Sequence, residues 1–315
     1  MAGGEAEDEH AQSQAQPRIG LVDDRLATYL EVASLPDDDF VDRAYRLLLR
    51  RDADGPSRDD ALRSLASQTL SRAALIADLA TSDEFVRLRA LEDAVARAAA
   101  ARAAGERPHE LTSPRGIDER PVELAWTLGR FVHAERMLDV GYAFAEPAWL
   151  AAVTTLGARE VVGVDLAERD VPGVRGVVAD VRRLPFADGS FDVIFCISTL
   201  EHVGRDNTRY GGRNEEDAAA PLAALNELRR VTARCGRIFV TVPCGEGGSD
   251  WYLREPPDAW RERFREADLY NYDDEVYSET AEGWRATSDG DAGLLCAEPH
   301  PGRRRHELVR RLRRG

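Results

Sequence analysis

The chain contains no lysine: all 42 basic residues among its 315 are arginine. That absence excludes Schiff-base chemistry, a lysine general base and a Walker-type phosphate lysine. Cysteine is scarce. Cys196, Cys235, Cys244 and Cys296 form no CxxC pair, which argues against a zinc site and against a disulfide framework. No metal-ligand cluster is expected. No apolar run approaches the roughly 20 residues a bilayer span needs, so no integral membrane span is expected. The first 16 residues have no apolar core and do not read as a signal peptide. Together these features suggest a soluble protein of a reducing, cytoplasmic compartment. Positive charge is also in deficit. The 57 acidic residues give a net charge of −15, which argues against nucleic acid as a partner.

What is present is a 43% hydrophobic chain, long enough for one large domain and a small one. Its arginine and alanine bias fits a GC-rich bacterial genome. Residues 1–20 are polar, acidic and aperiodic, and are expected to be disordered. Residues 21–105 read as helices only. Phe40, Val41, Ala44, Tyr45, Leu47, Leu48 and Leu49 form an apolar helical face, and the Asp52-Ala-Asp-Gly55 stretch breaks it. Ser71 is an N-cap before another helix, and 84–104 reads as a connecting helix. The Pro- and Gly-bearing stretch 105–116 is the expected domain boundary.

From Arg136 onward, short apolar runs alternate with helical ones. Strands are expected at 137–141, 160–165, 176–180, 191–197 and 237–242, with helices at 147–156 and 218–233. That alternation predicts an α/β fold with a doubly wound, mainly parallel sheet, and such sheets bind ligands beyond the carboxyl ends of their strands. Those ends carry Asp139 and Gly141, Asp165, Asp180, and Ser198 with Thr199. A small residue at Gly141 lets a ligand approach backbone N–H groups. Asp165, twenty-four residues on, can accept both hydroxyls of a ribose. Asp180 can accept from an adenine amino group while Val181 donates its N–H and packs on the ring. Three acids at successive strand ends suit a ligand with a ribose, an adenine and a cationic part, and suit a diphosphate poorly.

These residues resemble the class I S-adenosylmethionine-dependent methyltransferases over roughly 117–300. The resemblance rests on Leu138-Asp-Val-Gly141, Val162-Gly-Val-Asp165, Ala179-Asp180, Leu184-Pro-Phe-Ala-Asp-Gly-Ser-Phe-Asp192 and Ser198-Thr-Leu-Glu-His202. Glu227-Leu-Arg-Arg-Val231 and Gly236-Arg-Ile-Phe-Val-Thr-Val-Pro243 extend it. It implies a Rossmann-like domain over 106–300 that binds S-adenosylmethionine. The implied cofactor residues are Asp139, Gly141, Ala143, Asp165, Leu166, Asp180, Val181, Ser198 and Thr199. A final antiparallel hairpin at the sheet edge, 269–277 with 293–297, is also implied. The sequence departs from the family's G-x-G-x-G loop, having Gly141-Tyr-Ala-Phe-Ala145 instead. Alanine there is expected to cost about 1 kcal/mol if positive φ is required, and to weaken cofactor affinity. Separately, Phe40 to Asp54, Ser71-Arg-Ala-Ala-Leu-Ile and Ser82-Asp-Glu-Phe85 resemble a small bacterial helical domain of unknown function that often accompanies surface-glycan modules. It is expected to offer a docking or self-association surface.

The candidate proton acceptor is His202, placed after the fourth strand where substrate would meet the methyl group; a histidine satisfied at a helix start is the competing reading. Tyr210, Trp251 and Tyr252 are candidate substrate contacts, with Trp260 beside them and Arg205, Arg209 and Arg213 flanking. Tyr142 and Phe144 are expected to shield the pocket or pack in the core. Asp192 is expected to close a turn, and 119–123 to close the pocket. The segment 303–314 carries seven arginines against one glutamate and is expected to be a flexible Arg-rich tail within 301–315. The expected activity is O-methylation of a sugar, glycan precursor or small metabolite. The other reading is a non-catalytic, methyltransferase-like binding or scaffold module.

Overall fold

A computed structural model describes residues 19–287 and 293–301. The first 18 residues and the Arg-rich segment after 301 lie outside the described residues. The chain divides into two compact units, Met1–Arg89 and Ala90–Gly315.

The first unit holds α1 (Ile19–Val32), α2 (Asp37–Leu49), α3 (Gly55–Ala66), α4 (Arg72–Thr81) and the start of α5 (Asp83–Ala104). The apolar face of α2 is why these helices assemble: Phe40, Val41, Ala44 and Leu48 are buried against Leu75, Ile76 and Phe85. Two side-chain caps set helix starts. Asp54 accepts from the Ser57 N–H, and Ser71 from the Ala74 N–H, each satisfying an orphan donor.

The second unit is a mixed sheet flanked by helices. In chain order it comprises β1 (Thr112–Pro114), α6 (Arg120–Arg130), β2 (Arg136–Val140), α7 (Pro147–Thr154), β3 (Glu160–Asp165), β4 (Arg175–Val178) and β5 (Phe191–Ile197). It continues with α8 (Ala220–Val231), β6 (Thr232–Cys244), α9 (Pro257–Glu266), β7 (Leu269–Thr280), β8 (Gly283–Thr287) and β9 (Gly293–Pro301). The sheet order is β1-β8-β7-β9-β6-β5-β2-β3-β4. The strands from β6 to β4 are parallel, and those on the other side of β6 are antiparallel. Leu138 sits beside both Val162 and Ile194. Alternate residues of each central strand enter opposite cores: Met137, Val193 and Phe195 face one, and Leu138, Ile194 and Cys196 the other. Burial on both faces explains the unbroken apolar runs of β3, β5 and β6.

The expected antiparallel pairing of 269–277 with 293–297 forms, with Tyr277 opposite Leu294, but it does not sit at the sheet edge. β9 lies inside the sheet, between β6 and β7, and β7 pairs onward with β8, which pairs with β1. The stretch 105–116 therefore supplies a strand, Thr112 lying opposite Arg285. Among the described residues no helix is long and apolar enough to cross a membrane.

Candidate functional site

The carboxyl ends of β2, β3 and β5, with the loop after β4, surround a cavity of about 250 Å³. Asp139, Gly141, Asp165, Leu166, Asp180, Val181, Ser198, Thr199, His202 and Tyr210 all line it. Ala143 does not line it, and its N–H instead donates to Asp165 Oδ2 at 3.0 Å. Trp251 and Tyr252 do not line it either.

The first loop resolves the alanine question. Of its five residues only Gly141 has positive φ, at 88°. A Cβ at Gly141 would stand 2.3 Å from Thr199 Oγ1. Tyr142–Phe144 then form a single 3-10 turn, so Ala143 and Ala145 carry no left-handed strain. The expected alanine penalty does not arise. Tyr142 is fully buried beneath the turn, where Gly163 and Gly176 make room for its ring. Its hydroxyl donates to the Arg169 carbonyl and accepts from the Arg169 N–H. Phe144 faces the cavity and is 53% exposed.

The acids differ in environment. Asp139 is 2% exposed and accepts from Trp149 Nε1 at 3.0 Å. Burial pushes its carboxyl up to about 7, with the charge of Asp165 adding to the rise. Asp165 takes the Leu166 N–H on Oδ1 at 2.6 Å and the Ala143 N–H on Oδ2. Burial raises its pKa, and these backbone donors oppose the rise. Asp180 is half-buried. Burial raises it, but the hydrogen bonds and charge of Arg182 outweigh that and hold it below the ordinary value. Arg182 Nε lies 3.0 Å from both Asp180 oxygens, and its Nη2 lies 2.9 Å from Glu215. Sequence reading did not single out Arg182 or Glu215, both of which line the cavity; the Val181-Arg-Arg run was the available signal.

Behind Ser198 sits a second polar layer. Ser198 has φ 41° and donates Oγ to Glu123 Oε1 at 2.6 Å, and Thr241 Oγ1 donates to the same oxygen at 2.7 Å. Arg120 donates to Glu123 Oε2 at 2.7 Å. Glu123 is fully buried, while Arg120 reaches the cavity wall. The segment 119–123 thus contributes Arg120 to the wall and Glu123 to its support.

His202 is fixed by its neighbours. Its Nδ1 lies 2.7 Å from the Trp251 carbonyl, and its ring stacks on Trp251 at 5.0 Å and 13°. Tyr210 lies 5.4 Å from it, ring centre to ring centre, and Arg209 covers Trp251 at 4.2 Å. Burial lowers its pKa from the ordinary imidazole value, with the charges of Arg120 and Arg209 acting in the same direction. Glu201 Oε1 is 3.8 Å from His202 Nε2. Glu201 is 3% exposed, its Oε2 has no hydrogen-bond partner among the described residues, and burial pushes its carboxyl up to about 8. Asp192 does not close a local turn: it lies within β5 and accepts the N–H groups of Glu135 and Arg136, tying β5 to the start of β2. Trp260 is buried in the core under α9. No group of three or more His, Cys, Asp or Glu side chains among the described residues could hold a metal ion.

Residues 138–240 match the model of a methyltransferase domain, and residues 28–89 match a domain of unknown function (DUF4214). An uncharacterized protein of Methanocaldococcus jannaschii is 32% identical over 81 residues, 26% of this chain; the match spans 29% of that protein's length. Among solved structures, the complex between the Haloferax volcanii Trm112 methyltransferase activator and a putative methyltransferase aligns at 19% identity. That alignment covers 54% of this chain and 83% of the matched chain, with a TM-score of 0.40. A Burkholderia thailandensis 1,6-didemethyltoxoflavin-N1-methyltransferase, solved with S-adenosylhomocysteine, aligns at 17% identity over 77% of this chain and 86% of that one, with a TM-score of 0.41.

Proposed function

We propose that this chain, which carries a class I S-adenosylmethionine-dependent methyltransferase domain behind a small helical domain, methylates a hydroxyl oxygen of a small acceptor, a sugar or glycan precursor or another small metabolite. The observation that carries the reading is the convergence of Asp139, Gly141, Asp165 and Asp180 on one cavity, from the ends of consecutive strands.

The residues fit that cofactor. Gly141 keeps the backbone bare at the cavity wall, where a Cβ would collide with Thr199, and Asp165 is held in place by two backbone N–H groups while retaining lone pairs for ribose hydroxyls. Asp180 and the Val181 N–H offer the acceptor and donor that an adenine edge needs. S-adenosylmethionine supplies a methyl group already activated as a sulfonium. The chain's own part is to hold the acceptor in line and take its proton. His202 is suited to the second task. A carbonyl can only accept, so the neutral ring carries its proton on Nδ1, facing Trp251, and Nε2 keeps the basic lone pair. The lowered pKa keeps that ring neutral at pH 7. Tyr210 and the exposed ring of Phe144, in contact at 4.9 Å, offer faces on which a sugar or planar acceptor can stack.

The test is calorimetric titration with S-adenosylhomocysteine. The wild type should bind in the micromolar range, and Asp165→Ala should abolish binding. An acceptor screen beginning with sugars would follow. A well-folded wild type that fails to bind would favour a cofactor-free scaffold module, the reading to which Arg182's occupation of Asp180 lends support.

A further inference from the structure

At the opposite end of the sheet, where the parallel strands begin, a groove of about 700 Å³ opens among the end of α8, the start of β6 and the end of β9. Arg107, Arg229, Arg234 and Arg237 line it, together with Glu298 and Asp268. Four cations against two carboxylates is a local reversal in a chain of net charge −15.

The carboxylates are already engaged. Glu298, 2% exposed, accepts from Arg237 Nε at 2.6 Å and from Arg107 Nη1 at 3.3 Å. Asp268 accepts from the Tyr270 hydroxyl at 2.9 Å. Arg229 and Arg234 therefore have no carboxylate partner among the described residues. By contrast, the adjacent Arg230 pairs with both Glu227 and Asp188 at 2.7 Å.

We infer that this groove binds a small phosphate-bearing anion, held chiefly by Arg229 and Arg234 with Arg237 behind them. Guanidinium groups present planar, bidentate donors that match phosphate oxygens and stay charged at any working pH. The short anion must enter against the chain's overall negative field, so local guanidinium contacts, and not long-range attraction, supply its affinity. The site stands apart from the methyl-transfer cavity and does not depend on its function.

Inorganic pyrophosphate is the probe, titrated calorimetrically into the full chain at fixed ionic strength. One-to-one binding is expected, weakened at least tenfold by Arg229→Gln and by Arg234→Gln, with unchanged melting temperatures. Arg159→Gln, on an exposed arginine remote in sequence from the groove, should leave binding intact. Replacing Arg303, Arg304 and Arg305 by Gln should also leave it intact. No binding at millimolar pyrophosphate would overturn the proposal. So would loss of binding only in the Arg303–Arg304–Arg305 variant, which would place the anion on the C-terminal arginines. Sedimentation with phosphatidic acid vesicles without uptake of soluble pyrophosphate would likewise overturn it in favour of a lipid surface.

Discussion

At Gly141 one residue carries two constraints at once. Its φ of 88° disfavours any side chain, and a Cβ there would meet Thr199 Oγ1 at 2.3 Å. Gly141→Ala should therefore cost roughly 1–2 kcal/mol of stability from the left-handed backbone alone. It should also weaken S-adenosylhomocysteine binding more than tenfold by displacing Thr199. Ala143→Gly tests the opposite claim. Ala143 already has an ordinary backbone, so restoring the family's glycine should not tighten cofactor binding and should lower the melting temperature slightly through greater unfolded-state entropy. A large gain in affinity would show that the alanine does strain the loop. The sequence alone made Ala143 look like a defect because the turn type, a 3-10 turn, is not written in the loop's own letters.

Elements made this turn possible. Gly163 on β3 and Gly176 on β4 are direct register partners, and both face the Tyr142 ring. A Cβ at Gly163 would lie 2.4 Å from the ring, and one at Gly176 would lie 2.3 Å from its hydroxyl. The loop, β3 and β4 are thus fitted as a set. Gly163→Ala should destabilise by at least about 1 kcal/mol, as overpacked cores do. Tyr142→Ala should relieve it, so the double-mutant cycle should return a coupling of roughly 1 kcal/mol or more. Additive losses in urea melts would show that the ring and the glycine are not in conflict. The same scale separates what was readable from what was not. Runs such as Val193-Ile-Phe-Cys-Ile197 announce a strand because every residue is apolar, and most are strand formers. The acids at their ends were readable because strand ends are sites in this architecture. Thr112–Pro114 gave no such signal: three residues carry no period, and their partner lies about 170 positions on. Arg182 and Glu215 were missed, and Glu123 was read only as part of a closing segment, for a related reason. Each matters through a neighbour supplied by another loop or helix, and spacing along the chain does not encode that neighbour.

For the whole molecule the buried acids set the pH response. Many exposed or half-exposed carboxylates, among them Asp42, Glu160, Asp180 and Glu227, have pKa values held down and favour the folded state once ionised. Their contribution is present above the ordinary carboxylate range and is lost as pH falls through their lowered values. Asp139 and Glu201 act in the other direction. Asp139 faces Trp149 and Asp165; Glu201 faces Arg120, Glu119 and Glu123. Their folded values near 7 and 8 lie above the ordinary 3.8 and 4.5. Between roughly pH 4 and 8 the folded chain keeps protons that the unfolded chain has released, so their stabilisation is complete below pH 4 and is lost as pH rises through 7 and 8. His202, held neutral, opposes this only below the ordinary imidazole value of 6.5. The melting temperature should therefore decline from about pH 5 to pH 8. Asp139→Asn keeps an oxygen for Trp149, and Glu201→Gln keeps the shape of the side chain. Each should flatten the decline, by about 3 °C or more if the relief reaches 1 kcal/mol. The variant curves should separate from the wild type increasingly toward pH 8. An unchanged slope in both variants would mean that neither carboxyl holds its proton in the folded chain, and would remove the basis for treating Glu201 as a neutral neighbour of His202 Nε2 at pH 7.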